Sequence, residues 1–172
     1  FACREPLKDS DKMIEMKIDE LLNEMTLEEK IGQTAQRGES SLGEGELPDE
    51  VKDAVRKGRI GSFLNVTNPD HVKELQRIAV EESPNGIPLI FARDVIHGYK
   101  TIFPIPLGLA ATWNPELVQK CARISAEEAT TAGIKWTFAP MLDICRDPRW
   151  GRIAESPGED PFLGSAIAVA YV

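Results

Sequence analysis

Two stretches of this chain concentrate side chains able to do chemistry. The longer runs from Asp143 to Asp160, where three arginines (Arg146, Arg149, Arg152) and five acids alternate with Trp150, two glycines and two prolines. An arginine donates a fixed fork of N–H groups and an ionised carboxylate accepts hydroxyl protons. Such a loop can therefore hold a polyhydroxylated ligand such as a sugar, with Trp150 as a stacking surface. The same composition also suits a salt-bridged loop that only braces the elements it joins, and spacing alone leaves both readings standing. The shorter stretch is Ala92-Arg93-Asp94-Val95-Ile96-His97-Gly98-Tyr99, in which Asp94 directly follows an apolar run. His97 is one of only two histidines. With no serine or cysteine nucleophile in a suitable turn, it reads as a hydrogen-bonded structural residue rather than a triad member. The other, His71, reads as an exposed helix residue. Cys3, Cys121 and Cys145 lie too far apart for a zinc knuckle or a CxxC pair. Gly43-Glu44-Gly45 sits in an acidic loop with no strand before it and is no phosphate cradle. Neither a metal nor a cofactor is expected.

Loops act only where rigid elements position them. Ile14, Ile18, Leu21, Leu22 and Met25 recur at spacings of three and four and predict an amphipathic helix. Thr26-Leu27-Glu28-Glu29 fits a capping box that restarts a helix carrying Leu27 and Ile31. After a Gly/Ser/Glu loop over 40–46, Pro48 opens a short helix with Val51 and Val55 inward and Gly58 as its stop. From there strands and helices alternate. Buried strands are predicted over 60–66, 87–92 and 134–141. Helices are predicted from Asn68-Pro69, from Asn114-Pro115 (with Leu117, Val118, Cys121 and Ile124 on one face and Gly133 as the stop) and from Asp160-Pro161. Trp113 and Trp136 read as core residues. The alternation argues for parallel β/α units, which bind ligands outside the carboxyl ends of their strands, where both polar loops fall. Three strands are too few for a closed (β/α)8 barrel of about 250 residues. An incomplete barrel or a small doubly wound sheet remains.

Composition narrows the class. The 172 residues are 42% hydrophobic and 28% charged, which excludes a disordered chain. Twenty Lys+Arg against 28 Asp+Glu give a net charge of -8, which repels phosphate backbones and excludes nucleic acid as a partner. No apolar run approaches the ~20 residues that span a bilayer, so no transmembrane helix is expected. The chain opens Phe1-Ala2-Cys3, and a small residue directly before a cysteine is how a bacterial lipoprotein signal ends. An exported, periplasmic or cell-envelope lipoprotein with a lipid anchor at Cys3 is therefore expected, against an arbitrary chain boundary. The pattern from Phe162 to Val172 stops without a capping glycine or a basic turn, so the sequence is expected to continue in the intact protein.

The stretch Ile87-Pro-Leu-Ile-Phe-Ala-Arg-Asp94-Val-Ile-His97-Gly98, followed by Phe103-Pro-Ile-Pro-Leu-Gly108-Leu and Ala111-Thr-Trp-Asn114-Pro, resembles the amino-terminal domain of glycoside hydrolase family 3. So does Ala139-Pro-Met-Leu-Asp143-Ile-Cys-Arg146-Asp147-Pro-Arg149-Trp150-Gly151-Arg152, running on into Glu155-Ser-Pro-Gly158-Glu159-Asp160-Pro. The second motif is the longer and more specific. The likeness covers the chain from about Ile14 to its end and is strongest to bacterial exported β-glucosidases of broad specificity.

The resemblance implies an α/β fold, the amino-terminal part of a (β/α)8 TIM-type barrel, with a helical lead-in over 1–58 and the first β/α units over 59–172. It implies an enzyme that cleaves β-linked glucosides or related glycosides with retention, through an aspartate nucleophile and a second carboxylate acting as acid and then base. Asp94 matches the family aspartate that binds hydroxyls of the sugar being cleaved. Arg152 matches the arginine that binds the same sugar, and Arg149 and Glu155 would orient it, with His97 and Trp150 as further support for the site. The family's Lys-His pair, its Asp-Trp nucleophile motif and its acid/base glutamate find no match here, and neither His71 nor His97 follows a lysine. No catalytic residue is therefore assigned within this chain. Its expected partner is a β-glycoside or oligosaccharide bound by the intact protein. By itself the chain is expected to be inactive, and to self-associate or need the missing remainder, because an open barrel leaves strand edges unpaired. The competing expectation is a non-catalytic carbohydrate-binding or interaction module on the same fold.

Overall fold

Helix α1 (Asp9–Glu24) and helix α2 (Leu27–Thr34) open the computed structural model, which describes residues 9–38 and 45–172. Cys3 and most of the 40–46 loop lie outside the described residues. The capping box forms as its sequence dictates: Thr26 N–H donates to Glu29 Oε2 at 2.7 Å, and Glu29 N–H donates to Thr26 Oγ1 at 3.3 Å. The apolar stripe of α1 forms a helix but stays largely uncovered, with Ile14 56%, Ile18 44% and Leu22 44% exposed, and of the stripe only Met25, beyond the helix end, is buried.

The chain divides into two compact units. The first takes the described residues up to Ser62 together with Lys73–Leu89; the second takes Phe63–Val72 and Ile90–Val172. In the first unit, strand β1 (Gln36–Gly38) follows α2, and helix α3 (Asp49–Arg56) buries Val51 and Val55 as expected. Gly32 allows a close backbone approach within this unit, since a Cβ there would sit 2.0 Å from Gly58 O. Gly61 and Ser62 N–H both donate to Ala35 O, which aligns β1 with the head of strand β2 (Ser62–Leu64). Helix α4 (Pro69–Glu81) buries Leu75, Ile78 and Ala79. An ion network braces its outer side: Arg56 pairs with Asp53 and Glu82, and Arg77 with Glu74, Glu81 and Glu82. Such exposed pairs add little each and gain by being shared.

In the second unit, strand β3 (Ile90–Arg93) and strand β4 (Trp136–Thr137) pair in parallel, with Ala92 opposite Trp136 and Arg93 opposite Thr137. Asn65 N–H donates to Ala92 O at 2.9 Å, which ties the end of β2 to β3. Phe63 stacks on Phe91 with ring centroids 5.9 Å apart. Helix α5 (Pro106–Ala110), helix α6 (Pro115–Thr131) and helix α7 (Pro161–Tyr171) cover one core of Leu109, Val118, Cys121 and Ile167, and a second core joins Val95, Ala129 and Ile134. Among the described residues no helix is long and apolar enough to cross a membrane.

Several sequence expectations need correction. Among the described residues there are four strands, not three, because β1 lies inside the stretch expected to be a helical lead-in. Its residues, Gln-Arg-Gly, are polar and carry no apolar alternation. The 87–92 strand begins only at Ile90: Leu89 satisfies its N–H and its carbonyl on the Gln76 side-chain amide, at 2.8 and 3.3 Å, instead of on a neighbouring strand. The 134–141 strand contracts to Trp136–Thr137. Trp113 and Trp136 are not core residues, being 70% and 43% exposed. Trp113 sits on left-handed backbone (φ 52) in the turn between α5 and α6, and Trp136 lies against Phe138 at 4.8 Å. The buried face of α6 runs through Val118, Cys121, Ala122, Ser125 and Ala129, which leaves Leu117 and Ile124 outside it.

Candidate functional site

Because β3 and β4 run parallel and in register, both polar loops leave the sheet at the same carboxyl edge. Asp94 is the first residue after β3. Its carboxylate is exposed and makes no hydrogen bond among the described residues, so only the backbone behind it sets its direction.

That backbone is tied down repeatedly. Val95 N–H donates to Thr137 Oγ1 at 3.4 Å, and the Tyr171 hydroxyl lies 2.9 Å from Val95 O and 3.3 Å from Ile96 O. His97 closes a small hairpin. Its Nδ1 lies 3.1 Å from Phe103 O, to which it can only donate, and its own carbonyl accepts from Phe103 N–H at 2.8 Å. Both bonds tie His97 to Phe103 across the hairpin. Gly98 and Ile102 bridge the hairpin, and Gly98 is required there: its φ is +116, and a Cβ would meet Thr101 O at 1.9 Å. The Arg93 guanidinium lies 5.2 Å from the centre of the Tyr99 ring. At the hairpin tip the Glu128 carboxylate accepts from Lys100 N–H, Thr101 N–H and Thr101 Oγ1 at 2.8, 2.8 and 2.6 Å. The Thr101 bonds, with that from Lys100, hold its pKa below the usual glutamate range.

The loop after β4 folds on itself. Cys145 N–H donates to Gly158 O at 3.0 Å, which draws its two limbs together. Asp147 accepts from Arg149 through the backbone N–H and through Nε, both at 2.9 Å, and through Nη2 at 2.6 Å. The hydrogen bonds lower the Asp147 pKa and raise that of Arg149. Arg149 is therefore committed to Asp147 and makes no contact of its own with Arg152 among these bonds. Arg152 precedes and Glu155 ends a 3₁₀ turn (Ile153–Glu155), and the two form a fork, Nε to Oε1 at 3.1 Å and Nη2 to Oε2 at 2.6 Å. Nη1 of Arg152 has no hydrogen bond among the described residues. Trp150, between Arg149 and Gly151 in sequence, is half-buried, and its backbone N–H donates to Asp147 O. Asp160 ends the loop by capping α7, accepting from Phe162 and Leu163 N–H at 2.6 and 3.1 Å.

Asp94 and Arg152 belong to the same electrostatic neighbourhood. The Arg152 pKa is raised first by the hydrogen bond to Glu155, and then by the negative charges of Glu155, Asp143 and Asp94. Asp143, not singled out from sequence, is exposed like Asp94. The signal for it was available, since Asp143 follows the 134–141 apolar run much as Asp94 follows 87–92. Glu128 and Tyr171 carry no comparable local mark. A groove of about 430 Å³ lined by Leu107, Trp113, Ile153, Pro157, Glu159 and Leu163 takes in neither Asp94 nor Arg152. An arginine held in a fork by Glu155, with the charges of Asp143 and Asp94 acting on it, keeps donor capacity for a ligand hydroxyl.

The description Glycosyl hydrolase family 3 N terminal domain matches residues 26–172. A periplasmic beta-glucosidase of Salmonella typhimurium is 39% identical over 155 residues, covering 90% of this chain and 20% of that protein. A beta-xylosidase of Formosa agariphila is 31% identical over 164 residues, covering 95% of this chain and 18% of that protein. The crystal structure of a beta-glucosidase from Listeria innocua in complex with isofagomine superposes with a TM-score of 0.79 at 44% identity, over 91% of this chain and 22% of that one. The chain thus spans about a fifth of the length of each of these relatives.

Proposed function

Because this chain belongs to glycosyl hydrolase family 3, whose amino-terminal domain it carries, we propose that the intact protein hydrolyses β-linked glucosides, or related glycosides such as xylosides, with retention. The β/α units are the first of a (β/α)8-type barrel rather than a small doubly wound sheet. In the proposed reaction these residues hold the sugar and others cleave it. Asp94, with no hydrogen-bonding partner among the described residues, accepts hydrogen bonds from two hydroxyls; Arg152 donates through Nη1 while Glu155 fixes the plane of its guanidinium.

The observation that carries this reading is the Arg152–Glu155 fork, on a loop that leaves the same carboxyl edge of two parallel strands as the loop of Asp94. Retention needs two carboxylates about 5–5.5 Å apart, one as nucleophile and one as acid and then base. We assign both to the part of the intact protein outside these 172 residues. Likeness to a periplasmic relative supports an exported protein, and Ala2-Cys3 supports lipid attachment at Cys3.

The intact protein, incubated with an aryl β-glucoside and followed by NMR, is expected to release the β-anomer of the sugar first. Initial release of the α-anomer, or no hydrolysis of aryl β-glucoside or β-xyloside, contradicts the reading.

A further inference from the structure

Asp94 has no hydrogen-bonding partner among the described residues to aim it, so whatever holds the backbone behind it decides where its carboxylate points. Two side chains outside both polar loops do so. The Tyr171 hydroxyl, from the last turn of α7, lies 2.9 Å from Val95 O and 3.3 Å from Ile96 O, the two carbonyls directly after Asp94. The Glu128 carboxylate, from α6, gathers three donors of Lys100 and Thr101 at the hairpin tip. Between these points the hairpin is closed by the two His97–Phe103 bonds and the Gly98–Ile102 bridge. The loop is thus held at its stem and at its tip.

Both side chains come from helices packed on each other. The Tyr171 ring packs against the core of Leu109, Val118, Cys121 and Ile167, and α6 lies against α7. Burial, with a smaller contribution from Cys121, pushes the phenol above its ordinary range, so it remains a hydrogen-bond donor wherever the enzyme would work. Neither residue touches the sugar-binding groups, and neither belongs to the motifs that mark the site.

We propose that Tyr171 and Glu128 are positioning residues that aim Asp94 at the sugar by holding the loop after β3 from its stem and its tip. The proposal rests on the sugar-binding role assigned to Asp94 above. It predicts that the two act through Asp94 rather than beside it, which a double-mutant cycle reads directly.

The test uses the intact protein and kcat/KM on an aryl β-glucoside for wild type, Tyr171→Phe, Asp94→Ala and the double variant. Tyr171→Phe keeps the ring and removes only the hydroxyl. It should lower kcat/KM about tenfold in the wild-type background and less than about twofold when Asp94 is already alanine. An equal fold loss in both backgrounds, or no loss in the first, overturns the proposal. Glu128→Gln, which keeps the shape and removes the charge, is run through the same cycle with the same expectation, and serves if Tyr171→Phe does not fold. Amide hydrogen exchange over residues 94–103 needs no substrate and should quicken in either variant; unchanged protection overturns the proposal as well. Wild-type inactivity on every β-glycoside would instead contradict the function proposed for the protein, while the exchange result would still decide whether these residues hold the loop.

Discussion

Arg152 and Glu155 meet across a single 3₁₀ turn through two parallel hydrogen bonds of 3.1 and 2.6 Å. A fork of this kind fixes the plane of the guanidinium as well as its position, and it leaves Nη1 for a ligand. Arg149, three residues earlier, is fixed in the same way on Asp147. Each arginine thus has its own carboxylate, and only Arg152 is also acted on by Asp94 and Asp143.

Replacing Glu155 should therefore misalign Arg152 without removing it. In the intact protein, Glu155→Gln is expected to raise KM for an aryl β-glucoside about tenfold, with a smaller change in kcat if the arginine binds substrate and transition state alike. Steady-state kinetics check this; an unchanged KM would mean that the fork does not serve the sugar.

Acid should weaken both the fork and the loop clamp. Hydrogen bonds to Arg152 hold Glu155, and hydrogen bonds to Thr101 and Lys100 hold Glu128, below their ordinary value of 4.5. A carboxylate whose folded pKa is depressed contributes stability that is complete above its unfolded pKa and is lost as pH falls through the folded one. The intact wild type should therefore lose more of its stability below about pH 4.5 than Glu155→Gln or Glu128→Gln does. Thermal unfolding midpoints from pH 7 downward measure this, and superimposable acid profiles would contradict it.

Gly98→Ala should be severely destabilising. Its backbone sits at φ +116, and the new methyl would lie 1.9 Å from Thr101 O, a backbone atom that cannot swing aside. Strain and clash together should cost about 3 kcal/mol or more. Denaturant unfolding of the intact protein reads the cost, and a loss below about 1 kcal/mol would show that the hairpin relaxes freely.

The 172-residue chain made alone is expected to associate and bind a hydrophobic dye. Met13, Ile14 and Met16 of α1 are more than half exposed, and Trp136 and Phe138 beside β4 are 43% and 40% exposed. Uncovered apolar surface of this extent drives association. Light scattering coupled to size exclusion checks it; a monomeric, dye-negative chain would contradict it.

Local signals predicted local structure well. The capping box at Thr26, the Asn114 cap of α6 and the Asp160 cap of α7 were all legible, because each depends on residues within one turn. The edges of the sheet were not. Strand β1 has no apolar residue to mark it, Leu89 satisfies its polar groups on a side chain 13 positions away, and the exposure of Trp136 depends on what lies over it rather than on its type. The site shows the same division. Asp94, Arg152 and Glu155 stood in recognisable motifs, whereas Glu128 and Tyr171 reach the Asp94 loop from 27 and 76 positions away, and no spacing rule anticipates such contacts.

The central claim is that Asp94 binds the sugar undergoing cleavage. The most direct measurement is kcat/KM of the intact Asp94→Ala protein on an aryl β-glucoside. The account predicts a fall of about 30- to 1,000-fold with the fold of the protein intact by circular dichroism, because a preorganised partner of the transition state is lost. A correctly folded Asp94→Ala protein with wild-type kcat/KM would contradict it.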